Sequence, residues 1–175
     1  MTDSLRISVE GRNHYIEGIG NGEVLKSIRS GCKTRSAVEQ FQIHSYAYSF
    51  ASDILHIPKP VSIVDRKSYT MEEFETGVFV HPDTYFHSST LFDEVIRFYK
   101  YMMDAGYWPY GYTIYKYNTT QYVLCDFSGF GTIQGQCVKF PKDPRVYALK
   151  DMERRRSPRF YYYSLYQADA KGPGV

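Results

Sequence analysis

Apolar and polar residues alternate from Leu5 to Val9, which predicts a strand with one buried face. A second strand is expected over 14–19 and its return over 23–29. Between them Gly18, Gly20 and Gly22 punctuate the chain, and Asn21-Gly22 suits a tight hairpin turn. Ser36 and Glu39 then stand at capping-box spacing. The apolar positions that follow, Val38, Phe41, Ile43, Ala47, Phe50 and Ile54, predict a largely buried helix reaching about residue 55. Pro58 and Pro60 stop it.

Two further strands are expected over 61–64 and 68–73, around the turn Asp65-Arg66-Lys67. A long connection over 74–90 leads to a second capping pattern at Thr90 to Asp93. The helix beyond it carries Leu91, Phe92, Val95, Ile96, Phe98, Tyr99, Met102 and Met103, and Gly106 closes it. Of these, Phe92, Val95, Ile96, Tyr99 and Met103 are expected to face the core. Strands over 112–116 and 121–126 form a hairpin around Tyr117 to Thr120, followed by Gly129, Gly131 and Gly135. These elements predict an α+β fold. One domain is expected over 1–151, and a basic and aromatic tail over 152–175.

Composition narrows the function classes. Hydrophobic residues make up 43% of 175 and charged residues 23%, which supports a packed core. The formal charge is only +2, so the chain as a whole carries no nucleic-acid footprint. The 18 Tyr and 11 Phe are the unusual feature, since tyrosine joins a large apolar ring to a hydroxyl that needs a partner. They suit a tyrosine-rich core or a protein-binding face. Cys32, Cys125 and Cys137 are scattered and odd in number, which argues against a disulfide framework or a structural zinc site. Neither a signal peptide nor a membrane span is evident, so a cytoplasmic protein without membrane contact is expected.

The order of elements carries a resemblance. A glycine-bearing hairpin, a strand with Lys26, a helix with Glu39 near its start, two strands, a long helix and a hairpin lead to Asp126-Phe127-Ser128-Gly129. That order resembles the protein-kinase family over roughly residues 14–131. Tyr122 to Gly129 is similar to the strand that runs into the family's Asp-Phe-Gly motif, with Ser128 in the glycine position. Tyr69 to Gly77 resembles the strand and hinge beside adenine. The resemblance implies a kinase-like fold with a β-rich N-lobe and a truncated helical C-lobe. It implies Lys26 and Glu39 as nucleotide-binding residues, Asp126 as nucleotide- and metal-binding residue, and ATP with Mg as cofactors. Small truncated domains of this kind recur in viruses and phages, which by analogy implies host cytoplasm or virion as the setting.

The departures from the family pattern bear on activity. Between the long helix and the next strand the family places a catalytic Asp and an Asn. Here the segment from Ala105 to Tyr112 holds only Ala, Gly, Tyr, Trp and Pro. None of these can take the acceptor hydroxyl proton or hold a magnesium ion. Gly18, Gly20 and Gly22 also miss the family's glycine-loop spacing. No catalytic residue is therefore assigned, and a pseudokinase acting as a protein-binding or regulatory module is expected. The rivals are an active atypical kinase and a structural assembly subunit of virion type with tyrosine-rich interfaces. Plainer roles exist for each residue: Asp126 as a turn cap, Glu39 as half of a capping box, Lys26 as a solvated strand charge. Arg154, Arg155 and Arg156 with Tyr161, Tyr162 and Tyr163 combine residue types common at interface hot spots. They are the expected contact to a protein partner or a second copy.

Overall fold

A computed structural model describes residues 8–10, 13–74, 78–80, 84, 88–132 and 143–156. The chain folds as α+β. β1 (Ser8–Glu10), β2 (His14–Gly20), β3 (Glu23–Ile28), β5 (Pro60–Ile63) and β6 (Ser68–Glu72) form an antiparallel sheet in the order β1-β2-β3-β6-β5. The β2–β3 turn needs positive φ at Gly20 (88°), Asn21 (56°) and Gly22 (73°), and its sequence suits that demand. Lys26 lies opposite Ile16 on one side and Tyr69 on the other, so all three point to one face of the sheet.

Helix α1 (Ala37–Tyr48) packs on that face. Ser36 caps it as expected: its side chain accepts from the Glu39 N–H, while Glu39 accepts from the Ser36 N–H. The face turned inward is Ala37, Gln40, Ile43, His44 and Ala47. Ala37 joins Val24, Tyr69 and Met71 in a small core, flanked by Ile16, Ile28, Phe41 and Phe74.

The helix is shorter than the apolar run suggested. Ser52 Oγ accepts from the N–H groups of Ile54 (3.0 Å) and Leu55 (2.8 Å), turning the chain into β4 (Leu55–His56). β4 pairs parallel with β10 (Tyr122–Cys125), which pairs with β9 (Thr113–Lys116), and β9 pairs with β7 (Val78–Phe79). A third sheet joins β8 (Tyr107–Trp108) to β11 (Gly131–Thr132).

Helix α2 (Ser89–Asp104) starts at an N-cap Ser88 rather than Thr90. It buries Leu91, Val95, Phe98, Tyr99, Met102 and Met103 in the main core. Phe92 and Ile96, also expected inside, sit at the edge of that core, partly buried. Their positions lie one residue off the buried stripe.

Helix α3 (Pro144–Arg155) was not expected from sequence, and its last turn falls in the expected tail. Asp143 caps it and Pro144 occupies the first turn. Tyr147, Ala148 and Met152 join the main core, so packing continues past residue 151, where the domain was expected to end. No described helix is long and apolar enough to cross a membrane.

Candidate functional site

The sheet face and the loop after β10 meet at a polar cluster. Lys26, 5% exposed, donates from Nζ to Asp126 Oδ1 at 3.4 Å. Asp126 has φ 72°, a left-handed conformation that aspartate tolerates. Its Oδ1 also accepts from Ser128 Oγ (2.7 Å) and N (3.3 Å), an Asx-type turn that holds the carboxylate in place. The Asp126 side chain is 42% exposed, so this carboxylate opens to solvent while its ammonium partner does not.

Three neutral groups surround Lys26. Tyr69 presents its ring 5.8 Å from Nζ. His44 on α1 bonds Tyr69 Oη at 3.1 Å and the Pro58 carbonyl at 2.6 Å, and its ring stacks on Phe127 at 4.5 Å. His14 on β2 lies beside Gln40 of α1, whose Nε2 donates to the Arg35 carbonyl at 2.8 Å.

The electrostatics follow from burial and from the two charges. Burial pulls the Lys26 pKa down, but Tyr69, Asp126 and Cys125 outweigh it and leave it raised. Burial pushes Asp126 up, and Lys26 with the Ser128 hydrogen bonds outweighs that and leaves it lowered. Both shifts favour the ionised pair. Burial, then Lys26, lowers His14 to about 4 and His44 to about 3, so both imidazoles are neutral at neutral pH.

Of the residues expected at a nucleotide site, the structure brings Lys26 and Asp126 together and leaves Glu39 out. The Glu39 side chain is 53% exposed, occupied by its cap and 3.9 Å from Arg35. A helix advances about 100° per residue, so the neighbouring position, Gln40, turns inward instead. His14, Gln40, His44 and Tyr69 were not singled out from sequence. The available signal was periodicity: His14 and Ile16 share a strand face, and Gln40 and His44 share a helix face with Ala37.

The segment from Tyr107 to Tyr112 lies directly against this loop. A Cβ on Gly129 would stand 2.7 Å from the Tyr110 carbonyl oxygen, so only glycine fits there. Helix α3 grips the same segment. Tyr147 Oη donates to the Pro109 carbonyl at 2.9 Å, and the Trp108 ring packs against Tyr147 at 4.9 Å.

Arg155 corrects an expectation. It is 1% exposed, with Nε on Asp151 (2.9 Å) and one amino group on the Tyr112 carbonyl (2.9 Å). Its guanidinium lies 3.8 Å over the Tyr112 ring, and Tyr99 bonds both Tyr112 and Asp151. Arg155 is a core residue and cannot serve as a partner contact. Arg154 is half exposed, held by Asp151 and stacked on Tyr110, and Arg156 pairs with Glu153. Tyr161, Tyr162 and Tyr163 lie outside the described residues.

Among the described residues no group of three or more His, Cys, Asp or Glu side chains is placed to hold a metal ion. No protein-family model, curated protein or solved structure matches the chain.

Proposed function

We propose that this chain is a degenerate kinase-like protein, a cytoplasmic binding or regulatory module without efficient phosphotransfer. The observation that carries the reading is the Lys26–Asp126 contact at 3.4 Å. In protein kinases a strand lysine meets the nucleotide phosphates and an Asp after the hairpin holds the magnesium that bridges them, so the two must converge on one ligand. Here they converge on each other.

ATP with magnesium fits this site in part. Lys26 would meet phosphate oxygens and the open Asp126 carboxylate would hold the metal. Bound magnesium would supply neutralisation of phosphate charge. Two features count against turnover. Gln40 and His44, both neutral, stand on the inward face of α1 where the family has a glutamate. The turn from Pro109 to Tyr112 offers no carboxylate, and a positioned base contributes about 10²–10⁴-fold.

The test is a transfer assay with labelled ATP, magnesium and protein acceptors. The expected result is no transfer above that of Asp126→Ala. Robust transfer that Asp126→Ala abolishes would overturn the reading. A thermal-shift measurement with ATP and magnesium, repeated on Asp126→Asn, reports separately whether nucleotide is retained.

A further inference from the structure

Most cations on the helices are matched to carboxylates within a turn. Arg97 pairs with Glu94, Lys100 with Asp104, Arg154 and Arg155 with Asp151, and Arg156 with Glu153. The exposed residues Lys33, Arg66 and Lys67 differ. Among the described residues none of the three forms an ion pair.

Backbone hydrogen bonds tie the Arg66-Lys67 turn to both ends of the connection that carries Lys33. The Ile28 N–H donates to the Lys67 carbonyl at 2.8 Å, and the Ala37 N–H donates to the Arg66 carbonyl at 2.9 Å. The Arg66-Lys67 turn is thereby clamped between the end of β3 and the start of α1, and Lys33 and Arg35 lie in the connection that joins those two anchor points. Two carboxylates border this surface and offset part of its charge, Glu39 lying 3.9 Å from Arg35. Asp65 Oδ1 accepts from Lys67 N (2.7 Å) and Ser68 Oγ (2.8 Å), and Glu39 serves the Ser36 cap. The positive end of the α1 dipole adds to the same field.

We propose that the surface formed by Lys33, Arg35, Arg66 and Lys67 is the docking site for an acidic segment of a protein partner. The proposal rests on reading the chain as a binding module and names the chemistry of what it binds. Charge complementarity selects an anion. The strand before the turn selects a peptide among anions. β5 is an outer strand of its sheet, and its Val61 and Ile63, with Val64 beyond them, are exposed. A segment that mixes carboxylates with apolar side chains meets both features, whereas a phosphodiester backbone has nothing to offer the valines. The surface also touches the candidate site. Arg35 Nε donates at 2.6 Å to the carbonyl of Phe130, which closes the loop that begins at Asp126.

The test measures binding of the full chain to a fluorescein-labelled peptide of Asp, Glu and Leu residues. A single-stranded oligonucleotide and phosphatidylserine vesicles serve as competing anions. The triple variant Lys33→Glu, Arg66→Glu, Lys67→Glu is expected to weaken peptide binding by about tenfold or more. A control with the same change in net charge, Lys116→Glu, Arg145→Glu, Lys150→Glu, should retain it. The neutral triple Lys33→Gln, Arg66→Gln, Lys67→Gln gives a second reading if the reversal impairs folding. Equal loss in the control, or no loss in either surface variant, overturns the proposal. So does tighter binding of the oligonucleotide or the vesicles. The proposed function fails separately: phosphate transfer dependent on Asp126 would sink it while leaving charge-dependent peptide binding in place.

Discussion

Lys26 and Asp126 stand 100 residues apart in the chain and 3.4 Å apart in space, joining the inner face of the five-stranded sheet to the loop after β10. The lysine is buried and the carboxylate is open. Loss of the carboxylate therefore strands a buried charge. Asp126→Asn is expected to destabilise the protein by roughly 1–3 kcal/mol, below the cost for a fully buried pair because the Asp126 side chain is partly exposed. The pH limits follow from the shifts. The lowered Asp126 contributes stability above the ordinary carboxylate range, lost as pH falls through its folded pKa. The raised Lys26 contributes below the ordinary lysine range, lost as pH rises through its own. Urea denaturation of wild type and variant across pH should show the difference narrowing at both extremes.

The two buried imidazoles predict a separate acid sensitivity. His14 is lowered to about 4 and His44 to about 3. The unfolded chain takes up protons below its ordinary histidine pKa while the folded one does not. Stability is thus complete above about pH 6.5 and falls by about 1.4 kcal/mol per pH unit per histidine down toward those folded values. Imidazole NMR resonances of His14 and His44 should stay unprotonated at pH 5. Titration of either near pH 6.5 would contradict the burial described.

Arg155 and Arg156 are sequence neighbours with opposite expectations. Arg155→Ala removes the partner of Asp151, itself buried, and should cost about 3–5 kcal/mol. Arg156→Ala removes an exposed pair with Glu153 and should stay within about 0.5 kcal/mol. Thermal melts of the two variants decide the matter; equal effects would mean that Arg155 is not in the core.

Gly129 lies against the Tyr110 carbonyl, a backbone group that cannot swing aside as a side chain could. Gly129→Ala should cost about 1–3 kcal/mol and raise amide exchange in both segments that meet there. An unchanged melting temperature would show that the turn from Pro109 to Tyr112 does not press on the Asp126 loop.

Local and periodic features were legible along the chain. The Asn21-Gly22 turn, the Ser36 cap and the strand runs of β3, β6, β9 and β10 are determined by residues a few positions apart, whose φ preferences and side-chain types act before any packing. The α+β class follows from them. Helix α3 was not expected, although Asp143-Pro144 carries the local signal of a helix start. Three things were decided only by the tertiary structure. One is that α1 turns Gln40 and His44 inward while Glu39 stays out, because the packing face of a short helix is chosen by the sheet beneath it. Another is the burial of Arg155, which depends on Asp151, Tyr112 and Tyr99 converging from three elements. The last is the Lys26–Asp126 contact. Its favourable energy is the attraction between the buried lysine and a carboxylate that sequence leaves 100 residues away, set against the cost of taking the lysine out of water.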